Sequence, residues 1–212
     1  MKREMMLVMV LGGAAAHGAV LVVEPDNYAD GTVLNNVTPG VTFSAANSNN
    51  VASTFFTVTA NTTQAGFQST GTKAFGETNV DFWDSAFRMR MDFVNPVQGV
   101  SIDAIGGTNF NFDVGVLETY GTNGVLLHTY ETAGLAPNRV ETMSVLDASA
   151  DISYAVAYGI KGSAGSGPFL GLDHLVVNGF TAPEPATLGL MGVGGAGLLA
   201  RRRRSVEVRR CR

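Results

Sequence analysis

Phe87-Arg88-Met89-Arg90-Met91-Asp92-Phe93 decides the fold class. Apolar side chains stand at every second position, Phe87, Met89, Met91 and Phe93, with Arg88, Arg90 and Asp92 between them. A period of two belongs to a half-buried β-strand; on a helix, residues sharing a face are three or four apart. The pattern predicts Phe87, Met89, Met91 and Phe93 turned toward a core and Arg88, Arg90 and Asp92 turned away. A slip of one residue would exchange the two sets.

The same alternation continues on both sides of this stretch. Residues 100–104 repeat it, and 140–145 and 152–160 follow it more loosely. Further strands are expected at 41–45, 54–59, 111–119, 125–130 and 170–177. The breaks are Asn95-Pro96, Gly106-Gly107, the glycines at 121 and 124, Ala136-Pro137-Asn138 and the glycine-rich run 162–167. About ten strands between turn residues, with no amphipathic helical pattern, indicate an all-β antiparallel sandwich, and two such sheets suit a jelly roll.

The two ends of the chain stand outside this pattern. Lys2 and Arg3 precede an apolar run from Met5 to Ala16, and small residues offer a cleavage site near Ala16. These are the parts of a secretory signal peptide, assigned to residues 1–18. The sandwich is then 19–182. It carries five basic and fifteen acidic residues, a net of −10 against −4 for the whole chain. A body this acidic repels nucleic acid. The one cysteine, Cys211, lies beyond it, so neither a disulfide nor thiol chemistry is available to the body.

After the body comes Ala182-Pro183-Glu184-Pro185, then an apolar run from Ala186 to Ala200, then Arg201-Arg202-Arg203-Arg204 and a basic tail at 205–212. Pro183 and Pro185 break any regular element. The fifteen residues 186–200 would span about 22 Å as a helix, short of the about 20 residues that a bilayer core of about 30 Å requires. A transient membrane segment fits this length, with the arginines retained on the cytoplasmic side. Pro183, Glu184 and Pro185 with Arg201, Arg202, Arg203 and Arg204 resemble the PEP-CTERM sorting signal of exported bacterial proteins. The resemblance implies cutting by a membrane protease of the exosortase type. It also implies delivery to the cell envelope, the cell surface or the extracellular matrix, with the membrane engaged through 186–200. Gly192-Val193-Gly194-Gly195-Ala196-Gly197 matches the dinucleotide fingerprint in letters only, since no acidic residue follows at the required distance.

Chemistry is sparse in the body. No metalloprotease, nucleophile-elbow or phosphate-loop motif is present in the sequence. His128 and His174 read as strand residues, and the only tryptophan, Trp83, reads as core more readily than as a sugar-stacking side chain. Acids gather at both ends, Glu24 and Asp26 before the first strong strand and Asp173 in the last. First and last strands of a jelly roll often pair, which would bring the three together. The arrangement resembles the structural calcium site of jelly-roll carbohydrate-binding modules, which implies Glu24, Asp26 and Asp173 as oxygen ligands. The same acids also suit solvated turns. The expected function is a non-enzymatic, lectin-like surface or matrix protein that binds polysaccharide. The alternatives are a carbohydrate-active enzyme on the same fold and a purely structural adhesion module.

Overall fold

The computed structural model describes residues 18–63, 67–78, 82–107, 113–160 and 170–180. Its strands are β1 (Ala19–Val23), β2 (Thr32–Val33), β3 (Val41–Ala46), β4 (Val58–Thr62), β5 (Lys73–Glu77) and β6 (Arg88–Val97). They continue with β7 (Gly99–Ile105), β8 (Val114–Tyr120), β9 (Leu126–Glu131), β10 (Val140–Leu146), β11 (Ile152–Ile160) and β12 (Gly171–Phe180). All pairings are antiparallel. One sheet has the order β10-β7-β12-β5-β4-β2, with β1 added on β12; the other has the order β3-β6-β11-β8-β9. The chain is an all-β sandwich of the jelly-roll type. The expected signal peptide and C-terminal apolar helix lie outside the described residues. Among those residues, no helix is long and apolar enough to cross a membrane.

Alternation fills the space between the sheets. Met89, Met91 and Phe93 of β6 face inward, with Phe43 of β3, Leu117 of β8 and Ala155 and Ala157 of β11. Val58, Ala60, Phe75, Val100, Ile102, Leu172 and Val177 meet them from the other sheet. Phe43 and Phe75 stack across the interface at 5.6 Å between ring centroids. Trp83 is fully buried, and its indole N–H donates to the Phe75 carbonyl at 2.7 Å, which removes the cost of burying that donor.

Four expectations change. Phe87 does not join the core: it precedes β6, is 38% exposed and packs edge-on against Phe56. Asn95-Pro96 does not end β6, which runs on to Val97. Pro96 is tolerated because it falls in the irregular stretch between the Asp92–Tyr154 and Val97–Ile152 pairs, where no regular ladder bond is required of it. The strand expected at 54–59 begins only at Val58. β5 and β1 were not marked by alternation, the first because Phe75 is its only large apolar residue and the second because it continues the apolar N-terminal run.

The burial difference gives a direct test. Met91→Ala should lower stability by about 2–5 kcal/mol, as buried truncations do. Phe87→Ala should cost clearly less, and chemical denaturation of the two variants measures the difference.

Candidate functional site

The inward set on the five-stranded sheet determines an outward set. Tyr154 of β11 pairs with Asp92 of β6 on one side and Tyr120 of β8 on the other. Val156 pairs with Arg90 and Glu118, and Tyr158 with Val116. Paired residues share a face, so these side chains form one patch, with three residues each from β11 and β8 and Arg90 and Asp92 from β6. Tyr120 and Tyr154 stack at 4.6 Å with planes 5° apart. The Arg90 guanidinium lies 3.9 Å from the Tyr154 ring centroid, and that of Arg88 lies 4.0 Å from the Tyr158 centroid. Such cation–π contacts contribute about 0.5–2 kcal/mol each. Beneath them, Val116, Val156 and Tyr158 are buried although they lie on the outer face.

Hydrogen bonds hold the patch in one arrangement. The Tyr120 hydroxyl donates to Glu118 Oε2 at 2.6 Å and the Tyr158 hydroxyl to Glu118 Oε1 at 2.9 Å. Arg90 grips both oxygens of Asp92, with the shortest contact at 2.6 Å. Arg88 Nη1 stands 3.8 Å from Glu118. Asn50 reaches in from the loop after β3. Its side-chain amide donates to the Tyr120 hydroxyl at 2.8 Å, its Oδ1 accepts from Arg88 at 2.9 Å and its carbonyl accepts from Arg90 at 2.7 Å. Asn50 sits at φ 60°, a left-handed conformation that Asn adopts more readily than most residues. The two guanidinium groups face the carboxylates of Asp92 and Glu118, and Glu131, opposite Val116, adds a third carboxylate at the border of the patch. Burial first, and then donation to Glu118, pushes the Tyr158 hydroxyl up to about 12 and the Tyr120 hydroxyl higher still. Both stay neutral donors. Past the end of β8 lies a depression of about 270 Å³, lined by Gly121, Thr122, Asn123, Val125, Leu127 and Asp151.

The acids expected at the ends of the body do meet the last strand. β1 pairs with β12, Val23 opposite Leu175. Glu24 Oε2 lies 2.7 Å from His174 Nδ1, and Glu24 Oε1 accepts from the Thr70 hydroxyl. Asp173 is fully buried; its Oδ2 accepts from the Ser69 amide at 2.9 Å and the Thr70 amide at 3.0 Å, and its Oδ1 from the His174 amide at 2.8 Å. Burial raises the Asp173 carboxyl, and these three amides act against that rise. Donation to Glu24 raises the His174 imidazole. His174 takes φ 48° at an irregularity in β12, where the register shifts between Asp173 and Val176.

Asp26 lies apart from this pair. Pro25 opens a 3-10 turn over Pro25–Asn27, so Glu24 and Asp26 are not alternate residues of an extended strand. Asp26 Oδ1 accepts from the Thr72 amide at 2.9 Å and stands 3.9 Å from Lys73 Nζ. Its Oδ2 is buried without a hydrogen-bond partner. Gly71, at φ 46°, takes the left-handed conformation that favours glycine, and the Asp26 carboxylate packs where a Cβ would stand. Among the described residues, no group of three or more His, Cys, Asp or Glu side chains is arranged to hold a metal ion. Glu24 and Asp173 therefore meet on Thr70, while Asp26 meets the next turn of the same loop.

The residues that route the protein lie beyond β12. The family model for the PEP-CTERM protein-sorting motif matches residues 181–204. This chain carries a PEP-CTERM sorting motif. Pro183, Glu184, Pro185 and Arg201 to Arg204 fall inside the match, and all of them lie outside the described residues. The motif marks an exported protein tied to the cell envelope or surface. No curated protein matches the chain. Among solved structures, it is similar to the K2 cleaved adhesin domain of Lys-gingipain, with 10% identity over 76% of this chain and 99% of that one, at a TM-score of 0.48. It is also similar to the CBM22-1 xylan-binding domain from Paenibacillus barcinonensis, with 14% identity over 80% and 100% of the two chains and a TM-score of 0.43. A third is the C-terminal family 22 carbohydrate binding module of Clostridium thermocellum, with 11% identity over 74% and 96% and a TM-score of 0.40.

The raised phenols provide a pH test. A folded value above the ordinary one near 10 means that this contribution to stability is intact below about pH 10 and is lost as pH rises toward about 12. Glu118→Gln removes the carboxylate that opposes ionisation. Alkaline titration at the phenolate absorption band should show Tyr158 ionising at lower pH in that variant, and an unchanged titration would contradict the network.

Proposed function

We propose that this is a non-catalytic exported protein of the cell surface or extracellular matrix, whose five-stranded sheet binds carbohydrate on its outer face. The domain reading is a signal peptide at 1–18, the sandwich at 19–182 and the sorting signal at 183–204, with a transient membrane segment at 186–200 and a basic tail at 205–212. An exosortase-type protease and the export machinery are its partners during delivery. The observation that carries the binding reading is the patch of Tyr120, Tyr154 and Tyr158 with Arg88, Arg90, Asp92, Glu118 and Asn50. A polyhydroxylated ligand needs fixed donors and acceptors beside apolar ring faces and edges. The patch supplies ordered donors and acceptors beside the half-buried, mutually stacked Tyr120 and Tyr154 rings, and this pre-ordering lowers the entropic cost of binding. Arg88 and Arg90 are engaged by Glu118 and Asp92, which suits a neutral sugar chain better than an anionic one.

A catalytic reading is less well supported by the same residues. Both oxygens of Glu118 accept tyrosine hydroxyls, and both oxygens of Asp92 accept Arg90. A glycosidase pair instead needs one carboxyl protonated beside the leaving group and the other free to act as nucleophile or base. Affinity electrophoresis against a panel of neutral polysaccharides tests the proposal. Retardation by at least one glycan, weakened about threefold to thirtyfold by Tyr154→Ala or Arg90→Ala, is the expected result. No retardation by any member of the panel would favour a structural adhesion module, and release of reducing ends would favour an enzyme.

Calcium at Glu24, Asp26 and Asp173 is carried as a separate proposal. The buried, unpartnered Asp26 Oδ2 supports it; the amide bonds to Asp173 support a metal-free clasp instead. A melting experiment decides. Bound calcium would stabilise the fold by about 2.7 kcal/mol at about one hundred times its dissociation constant, and Asp173→Asn would remove that increment. A melting curve that calcium leaves unchanged assigns the three acids to the clasp.

A further inference from the structure

Strand edges are templates for pairing with another chain, and proteins usually block them with short strands, bulges, lysine, proline or covering loops. Three edges of this sandwich follow that rule. β2 is two residues long. On the outer side of β3, the Phe43 amide donates to the Asn35 carbonyl at 3.0 Å, and the Ala45 carbonyl accepts from the Ser53 amide at 2.7 Å. β9 pairs with β8 through a register shift and carries His128 and Glu131.

β10 does not follow it. Its only strand partner among the described residues is β7, and that register runs unbroken from Val140–Ile105 to Leu146–Gly99. It has no lysine, arginine, proline or bulge along Val-Glu-Thr-Met-Ser-Val-Leu, and its one charge, Glu141, on the row of Met143 and Val145, is engaged by the Tyr130 hydroxyl at 3.0 Å. Met143 and Val145 face the core, while Val140, Thr142, Ser144 and Leu146 face solvent. Val140 is 46% exposed and Leu146 is 71% exposed.

This sequence is complementary to itself when reversed. An antiparallel pair of β10 strands centred on Met143 sets Val140 of one copy against Leu146 of the other, and Thr142 against Ser144. Glu141 then faces Val145, so no acid meets an acid. The outer row reads apolar, hydroxyl, hydroxyl, apolar from either direction, as a two-fold interface requires. We propose that β10 is a homotypic docking edge, through which two copies join their larger sheets into one continuous sheet. A single strand edge gives a small contact, so pairing is weak in dilute solution and matters at the local density of a surface layer.

The test uses protein recovered from an exporting host that expresses the full chain. Sedimentation velocity over a concentration series should show reversible dimerisation of the wild type. Val140→Lys with Leu146→Lys places like charges opposite each other at both ends of the pair and should weaken the dimer about tenfold or more. Val140→Glu with Leu146→Lys pairs opposite charges in the same register and should bring the association back toward wild type. All these positions are exposed, and circular dichroism checks that each variant folds. Hydrogen exchange of the wild type is an independent reading, because β10 amides should gain protection as concentration rises. A wild type that stays monomeric throughout overturns the proposal, as does a double-lysine variant that associates like wild type. Failure of the charge-paired variant to recover, or β10 exchange independent of concentration, overturns it as well.

Discussion

Strand β11 is bonded on both edges, by β6 and β8, and its two faces do different work. Ala155 and Ala157 are small enough to admit Met89, Met91 and Leu117 into the space between the sheets. Tyr154, Val156 and Tyr158 stand on the reverse side, where Arg88, Arg90 and Glu118 settle on them. One register sets both arrangements. Moving β11 by a residue would drive three large side chains into a space packed for alanine and would leave the arginines above methyl groups. The core and the outer patch are thus one constraint seen from two sides.

Much of this arrangement could be read from the residues, and the reasons the rest could not are specific. The alternation of β6 was visible because charge and apolarity differ sharply along it, and Met89, Met91 and Phe93 turn inward as expected. The limits of β11 were legible from its flanking turn residues. The use of its faces was not, because tyrosine and valine serve a core as well as a surface, and alanine takes no side. Asn50 could not be anticipated: seventy positions separate it from Tyr120 in the chain, and only the folded β3–β4 loop brings them together. Trp83 sits in the core as its surroundings suggested. The meeting of Glu24 with the last strand followed from fold class, whereas the placement of Asp26 depended on the turn that Pro25 starts.

The sorting motif and the sandwich divide the labour of the chain. The motif acts through breakers, apolarity and positive charge, which need no tertiary structure. The sandwich depends on registers, and its outer face depends on one loop residue held left-handed above two arginines. A change in the tail alters where the protein goes, and a change at Asn50 alters what the face presents.

The pairing of β1 with β12 has a consequence for timing. Ala19 lies opposite Phe180, so the strand made first has to wait for the strand made last. β12 also lies between β7 and β5, which means that the larger sheet stays divided until β12 emerges. Contacts this distant along the chain are slow to form, since the entropy of closing the loop is lost before any pairing is gained. The larger sheet therefore stays open until nearly all of the described chain has been made. Only the five-stranded sheet can close earlier, so the order of the strands alone keeps the two-layered sandwich from closing until its last strand exists.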